Sequence, residues 1–222
     1  MMRVRVKICG IRTLEEALVA AGFGADLLGF NFWPRSPRYI EPVAAAEIIC
    51  RLPEQIETVG VFVNEDREAV SSIARNLELD AVQLHGDESP EYCGSLEDPP
   101  NPLPLGTQTI KAFRVGAGFD PRNIATYRVD MALLDASVKG AYGGTGRPID
   151  WKLAIEAKDY APIILAGGLD AANVADAIRT VLPAAVDVCS GVEAEPGKKD
   201  IVKLRQFLDA VGLANDSLTA GD

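Results

Sequence analysis

The sequence is poor in the residues from which metal centres and disulfide frameworks are built. Its 222 residues contain one histidine, His85, and four cysteines, no two of which have CxxC spacing. A single histidine is too few for a histidine-based metal cluster. We therefore expect no metal site, and we expect the cysteines to be the reduced thiols of a cytoplasmic protein, placed in the core or used in catalysis.

Basic runs and long apolar stretches are also missing. The formal net charge is -10, and no run of lysine or arginine offers the basic stripe with which proteins displace counterions from nucleic acids. An acidic surface disfavours anionic membranes, and no segment approaches the roughly 18 apolar residues of a membrane span. The N-terminal stretch MMRVRVKICGIR is interrupted by charges too often for a secretory signal. These features favour a small-molecule partner over nucleic acids and membranes.

What the sequence does contain is a regular alternation of short apolar runs and amphipathic helical segments. Strands that alternate with helices pair in parallel, and eight such units in 222 residues fit a closed (β/α)8 barrel, which typically has roughly 250 residues. An open doubly wound sheet is disfavoured because no GxGxxG motif follows the first strand. The predicted strands are residues 4–9, 27–32, 58–63, 81–85, 109–114, 131–135, 162–166 and 185–190.

The predicted barrel occupies residues 1–213 as one domain, and the small, polar residues 214–222 are expected to form a frayed tail. Thr13 is expected to cap the first helix in a capping box with Glu16, and Asn64 to cap a helix at residues 66–76. A proline-rich segment precedes the fifth strand, which places it on the N-terminal face of a barrel, away from the chemistry.

Polar residues stand at the carboxyl ends of the predicted strands, where the active sites of this fold form. Cys9, His85 and Asp135 end the first, fourth and sixth strands. Residues two apart share one face of a strand, so Lys7 is expected to point into the barrel below Cys9, as Asp187 does on the eighth strand. Inward charges are costly unless they are paired. We therefore expect Lys7 and Asp187 to pair with each other or with another inward group.

Three glycine-bearing loops, after the sixth, seventh and eighth strands, have the composition of phosphate sites. Glycine lets backbone N–H groups approach an anion, and a helix N-terminus adds a favourable dipole. The loops after strands seven and eight are the usual phosphate site of this fold. The candidate residues are Gly144, Gly146, Gly167, Gly168, Ser190 and Gly191.

Eight motifs together carry a resemblance to a known family. They are KICGI at residues 7–11, NFWPRSPRYI at 31–40, GVFVN at 60–64, VQLHG at 82–86, LLD at 133–135, GGTG at 143–146, DVCSGVE at 187–193 and PGKKD at 196–200. In this order they resemble the phosphoribosylanthranilate isomerases of tryptophan biosynthesis. The resemblance implies a (β/α)8 barrel that performs an Amadori rearrangement of N-(5-phosphoribosyl)anthranilate, an aminoaldose, to an aminoketose.

The resemblance also implies the roles of the catalytic pair. Cys9 is the expected general base, because a thiol whose reference pKa is about 8.5 ionises readily in positive surroundings. Asp135 is the expected general acid, which requires it to carry a proton when the substrate arrives. The iminium ion formed on ring opening is the electron sink, so the reaction requires no metal or organic cofactor.

Substrate-binding residues follow from the same motifs. Arg38 is the expected clamp for the anthranilate carboxylate, because a guanidinium fork matches a carboxylate, and Arg35 is the competing candidate. Gln83 and His85 are expected to line the substrate cavity. Asp187 either binds the ribose hydroxyls or only pairs with an inward lysine.

Other barrel functions remain as alternatives. Indole-glycerol-phosphate synthase needs a lysine and glutamates in catalytic strand positions, and ribulose-phosphate epimerase needs metal-ligating histidines. A bifunctional histidine and tryptophan isomerase uses paired aspartates, whereas the first strand here ends in Cys9. A non-catalytic phosphometabolite-binding barrel would keep the phosphate loops without the acid and the base. The sequence leaves the assembly open between a monomer and a homodimer.

Overall fold

The structure, a computed structural model, describes residues 3–116, 118–136 and 150–219. Eight parallel strands form a closed barrel in which each strand pairs with the next and β1 pairs with β8. The predicted (β/α)8 fold is confirmed. The barrel strands are β1 (Arg5–Cys9), β2 (Leu27–Asn31), β3 (Glu57–Phe62), β4 (Ala81–Leu84), β5 (Gln108–Val115), β6 (Met131–Ala136), β7 (Ile163–Leu165) and β8 (Ala185–Val188).

Helices surround the barrel. The helix predicted after the fifth strand is a 3-10 helix, Pro121–Thr126. None of the helices within the described ranges has the length and apolar character needed to cross a bilayer. The α-helices are α1 (Leu14–Gly22), α2 (Pro42–Ile49), α3 (Arg67–Asn76), α4 (Pro90–Ser95), α5 (Trp151–Ala157), α6 (Val174–Val181) and α7 (Ile201–Thr219).

Strand alternation divides the core into two layers. On β1, Val6 and Ile8 face outward and pack in the large cluster between the barrel and the helices, as the period of two predicts. A smaller cluster fills the barrel interior below the carboxyl ends. Its members are Leu27, Val59, Ala81, Ile110, Ala112, Met131, Leu133, Ile164, Ala166 and Ala185. The interior of the barrel is therefore filled by a packed apolar layer, and the polar residues at the carboxyl ends of the strands lie above this layer.

Two predicted helix caps had different outcomes. Thr13 accepts a hydrogen bond from the Glu16 backbone, and the Glu16 side chain accepts one in return, so the capping box is confirmed. The prediction for Asn64 was wrong, because Asp66 caps α3. Asn64 has a positive φ of 50° and its side chain accepts a hydrogen bond from the Asp87 N–H instead. Asp66 directly precedes α3, which is the position from which a side chain reaches the free N–H groups of the first turn.

A short antiparallel hairpin follows β8 and was not predicted. Its strands are β9 (Glu193–Glu195) and β10 (Lys198–Lys199), and a 3-10 turn, Ser190–Val192, leads into it. The Lys199 N–H donates to the Glu16 carboxylate at 2.9 Å, which ties the hairpin to the start of α1. The hairpin thereby carries two charged side chains back over the end of β1.

The predicted frayed tail, residues 214–222, was wrong for residues 214–219. Helix α7 continues to Thr219, and Asn215 on it is buried. The Val4 N–H donates to Asn215 Oδ1 at 2.9 Å, and Asn215 Nδ2 donates to the Val4 carbonyl at 3.0 Å. Small polar residues favour fraying only where nothing holds them, and here one amide satisfies both polar groups of the residue that precedes β1.

Replacement of Asn215 by alanine is expected to lower the free energy of unfolding by about 1–3 kcal/mol, because the Val4 N–H and carbonyl would lose their buried partners. Urea denaturation followed by circular dichroism measures this. Leu213→Ala on the exposed side of the same helix is the matched control, with an expected change within about 0.5 kcal/mol. Equal changes in the two variants would show that the two hydrogen bonds between Asn215 and Val4 do not stabilise the fold.

Candidate active site

One pocket opens at the carboxyl ends of the barrel strands, and it gathers side chains from seven of the predicted strand ends and loops. The predicted site residues that line it are Cys9, Arg38, Gln83, His85, Asp135, Gly167, Gly168, Asp187 and Ser190. Asn31, Trp33, Ser36 and Cys189 also line it, together with several apolar residues. Arg35, the alternative to Arg38, is exposed and does not line the pocket.

The other predicted phosphate residues differ in position. Gly144 and Gly146 lie outside the described residues. Gly191 does not line the pocket but packs beneath it, where an added Cβ would lie 2.0 Å from the Leu169 carbonyl oxygen. Gly167 has a φ of 79°, and an added Cβ would meet the Ala136 nitrogen at 2.5 Å. Only glycine lets these loops after β7 and β8 approach each other and the end of β6 so closely.

Lys7 and Asp187 form the buried ion pair that strand alternation predicts. Their Nζ and Oδ1 atoms are 2.8 Å apart, and they are register partners on β1 and β8. Burial raises the pKa of Asp187 to about 6, because the attraction of Lys7 only partly offsets the loss of water around the carboxylate. Burial alone would lower the pKa of Lys7, but Asp187 and the Cys9 sulfur together raise it. Lys7 is therefore a protonated ammonium group that interacts with both the Asp187 carboxylate and the Cys9 sulfur.

The Cys9 sulfur lies in positive surroundings. It stands with Lys7 Nζ over Gly29 of β2, where an added Cβ would be 3.0 Å from the sulfur and 3.1 Å from the nitrogen. From the other side, Lys199 Nζ donates to the Cys9 carbonyl at 2.6 Å. The neighbouring Cys189 thiol and the charges of Lys7 and Lys199 together outweigh the opposing effect of burial, and they hold the pKa of the Cys9 thiol well below its usual value. A thiolate is the form in which cysteine acts as a base or a nucleophile.

Arg38 reaches the same cluster through a carboxylate. Its Nε and Nη2 donate to the two oxygens of Glu193 at 2.8 and 2.7 Å, a bidentate pair, and Lys199 Nζ donates to Glu193 at 3.2 Å. Burial alone would raise the pKa of Glu193, but the hydrogen bonds and charges of Arg38 and Lys199 lower it. The three cations Lys7, Arg38 and Lys199, taken with the two carboxylates that pair with them, carry one net positive charge before the Cys9 thiol ionises.

Asp135 stands at the end of β6 with a histidine beside it. Its Oδ1 accepts a hydrogen bond from the Ala136 N–H at 2.8 Å, and its Oδ2 lies 3.3 Å from His85 Nε2. The other ring nitrogen of His85 lies 2.8 Å from the Gln83 side-chain amide. The side chain of Asp135 is 8 % exposed. Gln83 thus orients the ring of His85, and His85 in turn contacts the carboxyl group that faces the pocket.

The site contains three residues to which strand-end reasoning assigned no role. Glu193 and Lys199 lie on the hairpin that follows the barrel, so no barrel period points to them. Cys189 follows β8 directly, and its polar-face register was the one available signal. Within the described ranges, no group of three histidine, cysteine, aspartate or glutamate side chains is arranged to hold a metal ion.

The fold and the pocket define the class of protein: a (β/α)8 barrel enzyme in which a thiol with a lowered pKa and a carboxyl group line one cavity. A sequence model of N-(5'phosphoribosyl)anthranilate (PRA) isomerase matches residues 6–210. The chain is 51% identical to the N-(5'-phosphoribosyl)anthranilate isomerase of Geobacter sulfurreducens over 207 residues, which cover 92% of this chain and 97% of the relative. The chain therefore belongs to the N-(5'-phosphoribosyl)anthranilate isomerase family.

Solved structures agree with this assignment. A phosphoribosylanthranilate isomerase in complex with reduced 1-(o-carboxyphenylamino)-1-deoxyribulose 5-phosphate is 41% identical, with a TM-score of 0.81 and coverage of 94% of this chain and 98% of that chain. Monomers made from the dimeric isomerase of Thermotoga maritima give 40% identity, a TM-score of 0.78 and coverage of 94% and 98%. The family assignment removes the synthase and epimerase alternatives.

Replacement of Glu193 by glutamine is expected to lower the free energy of unfolding at pH 7 by about 3–5 kcal/mol, because the buried Lys199 and the half-buried Arg38 lose their shared counter-charge. Since the pKa of Glu193 is lowered in the fold, its contribution is complete above the unfolded-state pKa of about 4.3 and is lost as the pH falls through the lower folded-state value. The difference between wild type and variant should therefore shrink on acidification. Urea denaturation at a series of pH values measures it.

Glu195→Gln is the matched control, because Glu195 lies two residues further along β9 and is exposed. Its carboxylate lies 3.7 Å from Lys198 Nζ, a long surface ion pair. Its expected effect is within about 0.5 kcal/mol at every pH. If the Glu193 variant changed the free energy of unfolding as little as this control, the carboxylate shared by Arg38 and Lys199 would not stabilise the fold.

Proposed function

We propose that this chain converts N-(5-phosphoribosyl)anthranilate to 1-(2-carboxyphenylamino)-1-deoxyribulose 5-phosphate, with Asp135 as the general acid and Cys9 as the general base. The observation that carries the proposal is the presence of both groups in one pocket, with cationic groups around the thiol that lower its pKa. The family assignment supplies the substrate. A non-catalytic barrel that only binds phosphometabolites would have no use for a thiol whose pKa is lowered beside a carboxyl group.

The first step needs an acid at the furanose ring oxygen. Asp135 donates its proton to this oxygen, the bond from the oxygen to the anomeric carbon breaks, and the nitrogen lone pair forms the iminium ion. The carboxylate that remains is stabilised by the Ala136 N–H at 2.8 Å and by contact with His85. Both contacts are in place before the reaction, so the developing charge requires little reorganisation.

The second step needs a base at the adjacent carbon. The Cys9 thiolate takes the proton from that carbon, and the electron pair of the C–H bond moves to the iminium, which gives a neutral enolamine. Tautomerisation of the enolamine yields the ketone. Because the iminium nitrogen accepts the electron pair, the step requires no metal or organic cofactor. The lowered pKa of Cys9 favours the thiolate, which is the form in which the thiol accepts this proton.

Binding is assigned to groups around this pair. Arg38 binds the anthranilate carboxylate with the N–H groups that Glu193 leaves unused, since Glu193 occupies only Nε and one bond of Nη2. Gln83 faces the sugar, and its buried carbonyl oxygen has no hydrogen-bond partner among the described residues. Asp187 is committed to Lys7 at 2.8 Å, yet it lines the pocket and has a second oxygen for a ribose hydroxyl.

Phosphate binding is assigned to the loops after β7 and β8. Gly167, Gly168 and Ser190 line the pocket at this end, and glycine there exposes backbone N–H groups to an anion. Gly191 contributes by close packing beneath Ser190, and the roles of Gly144 and Gly146 stay predictions. The sequence alternatives of monomer and homodimer also stay predictions for this chain.

Cys9→Ala and Asp135→Asn are each expected to lower kcat about 10²–10⁴-fold, because each removes one proton-transfer group and leaves the binding groups in place. The decrease of substrate fluorescence on conversion measures turnover. Cys50→Ala is the control for the thiol, because Cys50 is exposed at the end of α2. Asp176→Asn is the control for the carboxylate, since Asp176 is exposed on α6 and its ion pair with Arg179 lies at the surface.

Both controls are expected to keep wild-type turnover. Wild-type turnover in either the Cys9 or the Asp135 variant would remove that residue from the mechanism. A wild-type protein that binds the phosphosugar without converting it would instead favour the non-catalytic alternative.

A further inference from the structure

A buried ion pair lies behind the loop that begins with His85, and the mechanism described above does not use it. Lys111 Nζ of β5 is 2.9 Å from Glu88 Oε2 in the loop after β4, and the two side chains are 3 % and 2 % exposed. Ile110 and Ala112 belong to the interior cluster, so Lys111 between them points to the outside of the barrel. Neither charged residue is among the described residues that line the pocket. A buried ion pair adds little net stability, so the groups that it holds are the better guide to its role.

The pair holds the peptide groups on both sides of His85. Lys111 Nζ donates to the Leu84 carbonyl at 3.2 Å and to the Gly86 carbonyl at 2.9 Å. The Glu88 carboxylate accepts the Gly86 N–H, at 2.9 Å to Oε2 and 3.1 Å to Oε1. Because a peptide group is planar, these bonds fix the peptide plane before His85 through its carbonyl and the plane after it through its N–H. The direction in which the His85 side chain leaves the backbone is thereby set.

The same carboxylate joins this loop to the loop after β3. The Asn64 N–H donates to Glu88 Oε1 at 2.7 Å. Gly86 lies so close to Asn64 that an added Cβ would overlap the Asn64 side chain. The His85 N–H donates to the Phe62 carbonyl at 2.8 Å, which ties the peptide group before His85 to the end of β3. The two loops are therefore held as one unit, with the Glu88 carboxylate between them.

The ring of His85 contacts the catalytic carboxyl group from this position. Its Nδ1 lies 2.8 Å from the Gln83 side-chain amide, and its Nε2 lies 3.3 Å from Asp135 Oδ2. With the Gln83 N–H donating to Nδ1, the ring proton is on Nε2 and points toward Asp135. A hydrogen bond of this length weakens steeply as its geometry worsens. A small shift of the His85 backbone would therefore remove the contact.

We propose that Lys111 is a positioning residue for the reaction: its ammonium group holds the carbonyls of Leu84 and Gly86 and so keeps the His85 ring in contact with the carboxyl group of Asp135. This inference rests on the proposed function of Asp135 as the acid. It goes further because it assigns a role in the chemistry to a charged side chain outside the pocket. The contact matters most after the proton has left, when Asp135 is a carboxylate.

The test variants remove the donor while keeping the size of the side chains. Lys111→Met alone would leave Glu88 as an unpaired buried carboxylate, which is strongly destabilising. Lys111→Met is therefore combined with Glu88→Gln, which retains an oxygen for the Gly86 N–H. Lys111→Gln, also combined with Glu88→Gln, is the rescue variant, because glutamine has nearly the shape of methionine but keeps an N–H donor.

Lys158→Met is the matched control. Lys158 Nζ also donates to a backbone carbonyl, that of Val181 at 2.8 Å. This contact joins the ends of α5 and α6 at the N-terminal face of the barrel, away from the pocket. Each variant is first required to show the circular dichroism spectrum and the cooperative unfolding of the wild type.

The first measurement is the NMR spectrum of His85 at alkaline pH, in protein isotope-labelled at histidine alone. His85 is the one histidine of the chain, so its ring nitrogens give the only signals of their kind. The wild type is expected to show the widely separated nitrogen shifts of a single Nε2–H tautomer. In the methionine variant the two shifts are expected to approach each other, because a ring without fixed partners exchanges between tautomers. The glutamine variant is expected to return toward wild type, and Lys158→Met to match it.

The second measurement is a double-mutant cycle in kcat and KM with His85→Ala. The methionine variant is expected to lower kcat about tenfold, which corresponds to one hydrogen bond to a charged group, with KM within about threefold of wild type. In the His85→Ala background the same substitutions are expected to change kcat less than about twofold, because the residue through which Lys111 acts is gone. A loss that is only structural would lower kcat by the same factor in both backgrounds.

The outcomes separate the two proposals. Unchanged His85 signals in the methionine variant, or equal losses of kcat in both backgrounds, would overturn the role of Lys111. Equal changes in the methionine and glutamine variants would also overturn it, because packing and not the donor would then hold the loop. Altered signals with wild-type kcat would show that the reaction does not depend on the position of His85. A wild-type protein that does not convert the substrate would overturn the proposed function, whereas the NMR comparison would still decide whether Lys111 holds His85 in place.

Discussion

The interaction on which this structure depends is the buried ion pair between Lys7 and Asp187. It joins β1 to β8, the two strands whose pairing closes the barrel, and it also places a positive charge beside the Cys9 sulfur. A buried lysine is strongly destabilising without a partner, so closure of the barrel and ionisation of the thiol are coupled. The residue that sets the chemistry of the base is stable only when the first and last strands meet.

The packed apolar layer inside the barrel makes this arrangement possible. Apolar side chains fill the interior below the carboxyl ends, so water reaches the polar strand ends from one side only. Electrostatic interactions are stronger where water is scarce, and both the cations around Cys9 and the contacts of Asp135 gain from it. Stability and chemistry therefore use opposite ends of the same strands, as is general for this fold.

The sequence allowed prediction of those side chains whose direction follows from the two-residue alternation of a β-strand. The alternation of β1 and β8 predicted that Lys7 and Asp187 point inward and pair, and the same rule placed Cys9 and Asp135 at the pocket. Contacts between segments far apart in sequence have no such period. Lys199, 190 residues from Cys9, lies on a hairpin that no barrel rule requires. Asn215 forms hydrogen bonds with Val4, 211 residues away in sequence. Its small, polar neighbours in sequence gave no sign that it is buried.

The balance of charge around Cys9 resolves two opposing demands on a base. A thiol must be ionised to accept a proton, which favours nearby cations, but a thiolate that is stabilised too far becomes a weak base. Three cations alone would stabilise the thiolate so strongly that it would be a weak base. Glu193 offsets part of the charge of Arg38 and Lys199, and Asp187 offsets Lys7. The two carboxylates thus leave one net positive charge, enough to hold one thiolate, and they keep that thiolate basic enough to take a proton from carbon.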